Sequence, residues 1–269
     1  MDKDIGIRLG QICEYVYDFK DKDLPGLGNP TSVEIRDDED DPTSWAGVLR
    51  YTDCTVLAFQ GTRRSAKDWM QNFRVKKVKA MKLPGLVHEG FVDQLKLIWK
   101  KVKAELANGI TGPLYVTGHS QGAAIAALAT KALELADIEV TETYTFAAPR
   151  PGDAKFAESV ATPVYRFEYG DDLVPHVPFH HLDLGTFQNR INAEIVERVP
   201  ALKSLVATAA DGYVGVGPLY YRRPDTKLQE ALTPDEENTL ARKRDMLLLF
   251  AGKDLFNHHH MPHYIDMFS

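Results

Sequence analysis

The apolar positions of this chain follow two rhythms that alternate along its length. Near the start, Ile5, Leu9, Ile12, Val16 and Phe19 step by four, three, four and three residues, the stripe of an amphipathic helix lying on a core. A Pro-, Gly- and Asp-rich stretch over 21–42 reads as loop. Residues 45–51 and 55–59 then alternate as paired strands across a Thr52-Asp53 turn. Helical spacing returns in Leu95, Ile98, Val102 and Leu106, which predicts a helix over 92–108 with Gly109 as its C-cap. Strand-like runs follow at 114–117, 140–146 and 164–169, separated by predicted helices over 123–136 and 152–160. This alternation predicts an α/β fold, a mostly parallel central sheet with helices on both faces. Past Asn189 the pattern blurs, although 213–222 reads as one further strand. Thr233-Pro234-Asp235-Glu236-Glu237 has the N-cap, first-turn proline and acidic first turn of a helix continuing to Phe250. With no repeat and no low-complexity tract, residues 1–269 read as a single domain.

One stretch carries chemistry. Gly118-His119-Ser120-Gln121-Gly122 is a G-x-S-x-G turn that follows the strand at 114–117 and opens the alanine-rich helix at 123–136. Strand, sharp turn and helix form the frame in which a serine is held in a strained backbone and projects its hydroxyl, so Ser120 is the candidate nucleophile. The two glycines have no Cβ to obstruct so tight a bend. A serine hydroxyl needs a base, and the base needs an acid to orient it. The order serine, acid, histidine is available: Asp171 and Asp172 lie just past the strand at 164–169, and His258, His259, His260 and His263 crowd the C-terminus. Consecutive histidines point in divergent directions, so the terminal group is not read as a metal site.

Six ordered segments together resemble the class 3 (fungal-type) lipase family of α/β-hydrolases. They are Phe59-Gln60-Gly61-Thr62, Asp68-Trp69 with Asn72, Val87-His88-Glu89-Gly90-Phe91, the serine motif, Phe146-Ala147-Ala148-Pro149-Arg150, and Asp172-Leu173-Val174-Pro175. The likeness covers about residues 45–180 and the terminal histidines. It implies an α/β-hydrolase fold and hydrolysis of carboxyl esters with no cofactor. By the same resemblance Asp172, the aspartate before x-Val-Pro, is the acid, and His259, five residues before Tyr264, is the base. Thr62 and the amide of Gln121 are implied as the oxyanion hole. Gln60 stands where the family usually has arginine.

The remaining features narrow the expectation. A net charge of −6 made of intermixed charges argues against nucleic acid as a partner. A disulfide between Cys13 and Cys54 cannot be inferred from the sequence, and Cys54 reads as a small buried hydrophobe. No run of eighteen apolar residues and no signal peptide is visible, so the chain as it stands reads as cytoplasmic, or as secreted if a leader was removed. The basic run Arg74, Lys76, Lys77, Lys79 and Lys82 is read as a solvated face, with transient contact to a lipid surface as its alternative. Where the family carries its lid, only Ala66, Trp69 and Met70 supply an apolar face, which points to soluble short- and medium-chain esters and weak interfacial activation. Phospholipase A1 and feruloyl or aryl esterase remain rival activities for the same residues. A non-catalytic lipid-binding protein is the rival of another class.

Overall fold

The computed structural model describes residues 1–18, 28–40, 42–62, 76–178, 212–224, 226–233, 236–237 and 257–269. Among these, twelve strands are numbered in chain order: β1 (Thr31–Arg36), β2 (Trp45–Arg50), β3 (Thr55–Phe59), β4 (Lys77–Val78), β5 (Val87–His88), β6 (Leu114–His119), β7 (Glu142–Phe146), β8 (Gly152–Asp153), β9 (Val164–Tyr169), β10 (Tyr213–Val214), β11 (Leu219–Arg222) and β12 (Gln229–Leu232). The helices are α1 (Lys3–Tyr15), α2 (Glu89–Ala107), α3 (Gln121–Glu134), α4 (Ala154–Ser159) and α5 (Met261–Asp266). Eight strands form one sheet in the order β1-β2-β3-β6-β7-β9-β11-β12, while β10-β8-β5-β4 form a small second sheet. The middle of the large sheet, β3 through β11, is parallel, and both of its edges are antiparallel.

Burial on both faces accounts for the continuous apolar strands. All five residues of β3 are buried. Leu57 and Phe59 join the core under α2 and α3, whereas Val56 and Ala58 face the second core under α1 and α5. On α2 the residues Phe91, Leu95, Ile98, Val102 and Leu106 form the buried stripe. Ala124, Ala126, Ala127 and Ala129 keep α3 thin enough to lie close on the sheet.

Several boundaries differ from the sequence pattern. The stretch 21–42 is not all loop, because β1 pairs with β2 from Thr31↔Arg50 to Arg36↔Trp45. As an edge strand it has only Ile35 fully buried, so its alternation is faint. Helix α2 begins at Glu89, earlier than 92, because the side chain of His88 accepts the Phe91 N–H at 3.3 Å and serves as the cap. Residues 213–222 form two strands in different sheets, with Gly217 at φ +79 between them. At the start of the helix expected from Thr233, a capping box is in place. Glu236 accepts from the Thr233 N–H at 2.8 Å, and the Thr233 hydroxyl accepts the Glu236 N–H at 3.4 Å. The rest of that helix, the lid stretch with Trp69, and Arg74 lie outside the described residues. No helix among the described residues is long and apolar enough to cross a membrane.

A close backbone approach joins α3 to the strands beneath it. A Cβ on Gly122 would lie 2.2 Å from the Phe59 carbonyl oxygen, and one on Gly118 would lie 2.4 Å from Gly122. Since these obstacles are backbone atoms, Gly122→Ala should cost about 2–4 kcal/mol and lower the melting temperature by on the order of 10 °C. Gly28→Ala, with nothing within 4 Å but a φ of +72, should cost about 1 kcal/mol. Equal melting temperatures for the two variants in a calorimetric scan would contradict the close approach.

Candidate active site

Three elements deliver the site to one end of the parallel strands. Strand β6 runs into Ser120, whose φ of 57° and ψ of −130° lie outside the regions open to ordinary residues. The turn is held because the Ser120 N–H donates to the Phe146 carbonyl at 2.9 Å, and its carbonyl accepts from Ala123 at 2.9 Å. Strand β9 ends at Tyr169, and a turn through Gly170 and Asp171 brings in Asp172. A single 3₁₀ turn, Asn257–His259, places the histidine just before α5.

The geometry selects among the crowded residues. His259 Nδ1 lies 2.8 Å from Asp172 Oδ2, and its Nε2 lies 2.9 Å from Ser120 Oγ. A carboxylate only accepts, so Nδ1 carries the proton and Nε2 accepts from the serine hydroxyl. Of the other histidines, His263 stacks on Tyr169 with centroids 5.1 Å apart, His260 is exposed at the start of α5, and His258 faces Asp171. Burial alone would raise the pKa of Asp172. The His259 charge and hydrogen bonds from His259, Tyr264 and the Val174 N–H outweigh it and leave the carboxyl below its ordinary value. Among the described residues no group of three or more His, Cys, Asp or Glu side chains is set to hold a metal ion.

Gln121 directly follows the serine, and Thr62 follows the strand end that runs beside it. Gln121 is the first residue of α3, so its amide is among the N–H groups at the helix start that have no partner within the helix. Phe59 pairs with Gly118 across β3 and β6, and a Cβ on Gly61 would lie 2.7 Å from the His119 carbonyl. The chain therefore passes directly beside the serine turn before reaching the half-buried Thr62. Gln60 is buried and its amide donates to the Val16 carbonyl, which ties the end of β3 to the turn after α1.

Three further residues join the site without having been singled out for it. The Tyr264 hydroxyl donates to Asp172 Oδ2 at 2.6 Å, although in the sequence Tyr264 served only as a spacing mark. His119 Nε2 donates to the His259 carbonyl at 2.9 Å, and its Nδ1 accepts from the Tyr17 hydroxyl at 3.1 Å. His119 lay in view within the serine motif. Tyr17 gave no signal, since its partner is 102 residues away. Burial, with the His259 charge added, lowers the His119 pKa to about 3, so the ring stays neutral. The free thiols Cys13 and Cys54 are buried, and burial raises them to about 12 and about 11.

Residues 56–182 match the family Lipase (class 3). The chain is 30% identical over 145 residues to the secreted mono- and diacylglycerol lipase A of Penicillium cyclopium, covering 51% of this chain and 47% of that protein. It is 34% identical over 137 residues to a Rhizopus niveus lipase, covering 45% of this chain and 34% of the relative. The chain thus spans about half the length of the first relative and a third of the second. A structure of Rhizomucor miehei triacylglyceride lipase superposes with a TM-score of 0.67 at 18% identity, covering 99% of this chain and 96% of that one, which shows a shared fold.

The neutral state of His119 has a consequence for acid stability. The unfolded chain takes up a proton near the ordinary value of 6.5, whereas the folded chain resists until about 3. Stability present above pH 6.5 is therefore lost as the pH falls toward 3. His119→Gln should lose less stability than the parent over this window when urea midpoints are followed against pH. Parallel curves for the two would mean that folded His119 accepts its proton as readily as the unfolded chain does.

Proposed function

We propose that this chain, which belongs to the class 3 lipases through residues 56–182, is a serine carboxyl-ester hydrolase acting on acylglycerols and on short- to medium-chain esters. One observation carries the reading: Ser120 in a strained backbone, 2.9 Å from an imidazole that is itself 2.8 Å from a buried carboxylate. On this reading residues 1–269 act as one α/β-hydrolase domain. Ser120 Oγ attacks the ester carbonyl while His259 Nε2 takes its proton, and Asp172 holds the imidazole and stabilises the imidazolium. The Gln121 amide and Thr62 stabilise the tetrahedral oxyanion, where loss of one donor costs about 2.7–4 kcal/mol of barrier. His259 then protonates the departing alcohol, and water repeats the cycle on the acyl-enzyme. A purely lipid-binding protein would have no use for a strained serine turn, which costs about 1–3 kcal/mol and persists where chemistry requires it.

The substrate and location are read from a relative and from the basic run. The Penicillium relative is named for mono- and diacylglycerols and as secreted, which favours acylglycerols and a secreted location over a cytoplasmic one. The basic run is partly occupied: Lys76 pairs with Glu89 at 2.6 Å and Lys77 lies over the Tyr213 ring at 5.0 Å. Among the described residues of the run, contact with a lipid surface would therefore fall mainly to Lys79 and Lys82. Rates on p-nitrophenyl esters, diacylglycerol, phospholipid and feruloyl esters compare these substrates directly, and phospholipid or feruloyl ester as the best substrate would replace this reading by one of its rivals.

Ser120→Ala should abolish both ester hydrolysis and labelling by a fluorophosphonate, with circular dichroism unchanged. Asp172→Asn should lower turnover by roughly 10⁴-fold and His259→Ala by a comparable factor. Hydrolysis surviving in Ser120→Ala would remove Ser120 as nucleophile. Thr62→Val deletes the hydroxyl at similar volume, so turnover should fall with the Michaelis constant little changed. Unchanged turnover in that variant would confine any oxyanion donation at this position to the backbone.

A further inference from the structure

His258 borders the relay without entering it: it meets the His263 ring edge-on at 6.0 Å, and its other contacts fall on the loop that carries Asp172. The Asp171 N–H donates to His258 Nδ1 at 2.9 Å. A ring nitrogen that accepts a backbone hydrogen bond carries no proton, so this bond holds His258 with its proton on Nε2. Beneath the ring is Gly170 at φ +55, where a Cβ would lie 2.4 Å from Nδ1. Tyr169 meets the same ring edge-on, with centroids 5.5 Å apart and planes at 88°. The three residues that precede Asp172 therefore all touch the residue that precedes His259.

We propose that His258 is a positioning residue for the Asp172–His259 pair. Four links close into a small circuit: the peptide from Asp171 to Asp172, the 2.8 Å bond from Asp172 to His259, the peptide from His259 back to His258, and the 2.9 Å bond from His258 to Asp171. Two segments 87 residues apart are held in register by a second bond, from the backbone N–H of the residue before Asp172 to the side chain of the residue before His259. Without the second bond, the loop can slide along the 257–259 turn and lengthen the contact that stabilises the imidazolium. Imidazolium forms only as the reaction proceeds, so the loss falls on kcat and leaves KM nearly unchanged. The role rests on the ester-hydrolase reading above. It also assigns a part to a histidine that the sequence pattern leaves outside the site.

The test is steady-state hydrolysis of a soluble p-nitrophenyl ester by the full chain and by His258→Ala, His258→Phe and His258→Asn, with the rate of fluorophosphonate labelling followed in parallel. Phenylalanine keeps a ring over Gly170 but accepts nothing. Asparagine lacks the ring but presents Oδ1 where Nδ1 stood. The alanine and phenylalanine variants should lose about three- to tenfold in kcat, the worth of one backbone hydrogen bond, with KM within about twofold. Asparagine should recover most of the loss, and labelling rates should follow kcat. Full kcat in the alanine and phenylalanine variants, or recovery by phenylalanine but not by asparagine, overturns the proposal. If alanine impairs folding, the comparison of phenylalanine with asparagine still decides. A parent chain that neither hydrolyses the ester nor labels overturns the ester-hydrolase reading and this role with it, whereas an active parent with unaffected variants overturns this role alone.

Discussion

The buried carboxylate of Asp172 is the constraint around which the C-terminal part of the structure is arranged. It is fully shielded from solvent, and an isolated ion in such a place would cost several kcal/mol. The surroundings offset that cost with three donors: His259 Nδ1 at 2.8 Å, the Tyr264 hydroxyl at 2.6 Å and the Val174 N–H at 3.0 Å. Two of the three come from the segment 257–266, so burying the charge requires α5 to dock. Docking in turn requires Tyr264, Met261 and Met267 to fill the core shared with Leu9 and Ile12 of α1. Helix α1 thus supports the relay although it contributes no member to it. His119 reinforces the arrangement, because its hydrogen bond to the His259 carbonyl fixes the backbone that carries the imidazole.

The serine side obeys a different constraint, that of backbone approach. A side chain on Gly118 would run into Gly122 and one on Gly122 into the backbone of Phe59 and Gln60, so neither is accommodated and the helix start is pressed against the end of β3. This contact brings the N–H groups of the first turn of α3 beside Ser120, where, on the proposed ester-hydrolase reading, a developing negative charge would meet the positive end of the helix. Strain at Ser120 persists because sheet, helix and turn each fix it independently.

Much of this was legible because it is local. The serine motif reads directly, since its strand, turn and helix are contiguous and their periodicities differ. Helices α1 and α2 read through their stripes, because burial on one face leaves a period in the sequence. Asp172 and His259 were selected by motif spacing; chemistry alone left Asp171 and three other histidines in contention. What escaped depends on distant partners or weak burial. Strand β1 has one fully buried residue and no stripe to betray it. The part of Tyr17 exists only through His119 in space. His88 as a helix cap is outside the usual Ser, Thr, Asp and Asn preference, so the start of α2 was displaced.

Strand β9 shows how one element can serve the site through two opposed faces. Tyr165 and Phe167 lie in the aromatic core toward α1 and α5, with Phe167 stacked on Phe146 at 5.2 Å. On the other face the Arg166 guanidinium bridges Glu168 and Glu237 at 2.7 Å each, and Glu168 lies 3.4 Å from His176 Nε2. His176 closes the 3₁₀ turn that follows Asp172, so the pair Glu168 and His176 spans the acid loop from its entry to its exit. Gly215 leaves room for this, since a Cβ there would lie 2.6 Å from Arg166 Nε. A buried ionic cluster adds little net stability over a well-packed apolar one, yet removing one member leaves a stranded charge that costs about 3–5 kcal/mol. Such a cluster resists partial rearrangement. Beneath a loop whose acid must meet a histidine from a distant segment, that resistance contributes more than the same volume of apolar packing would.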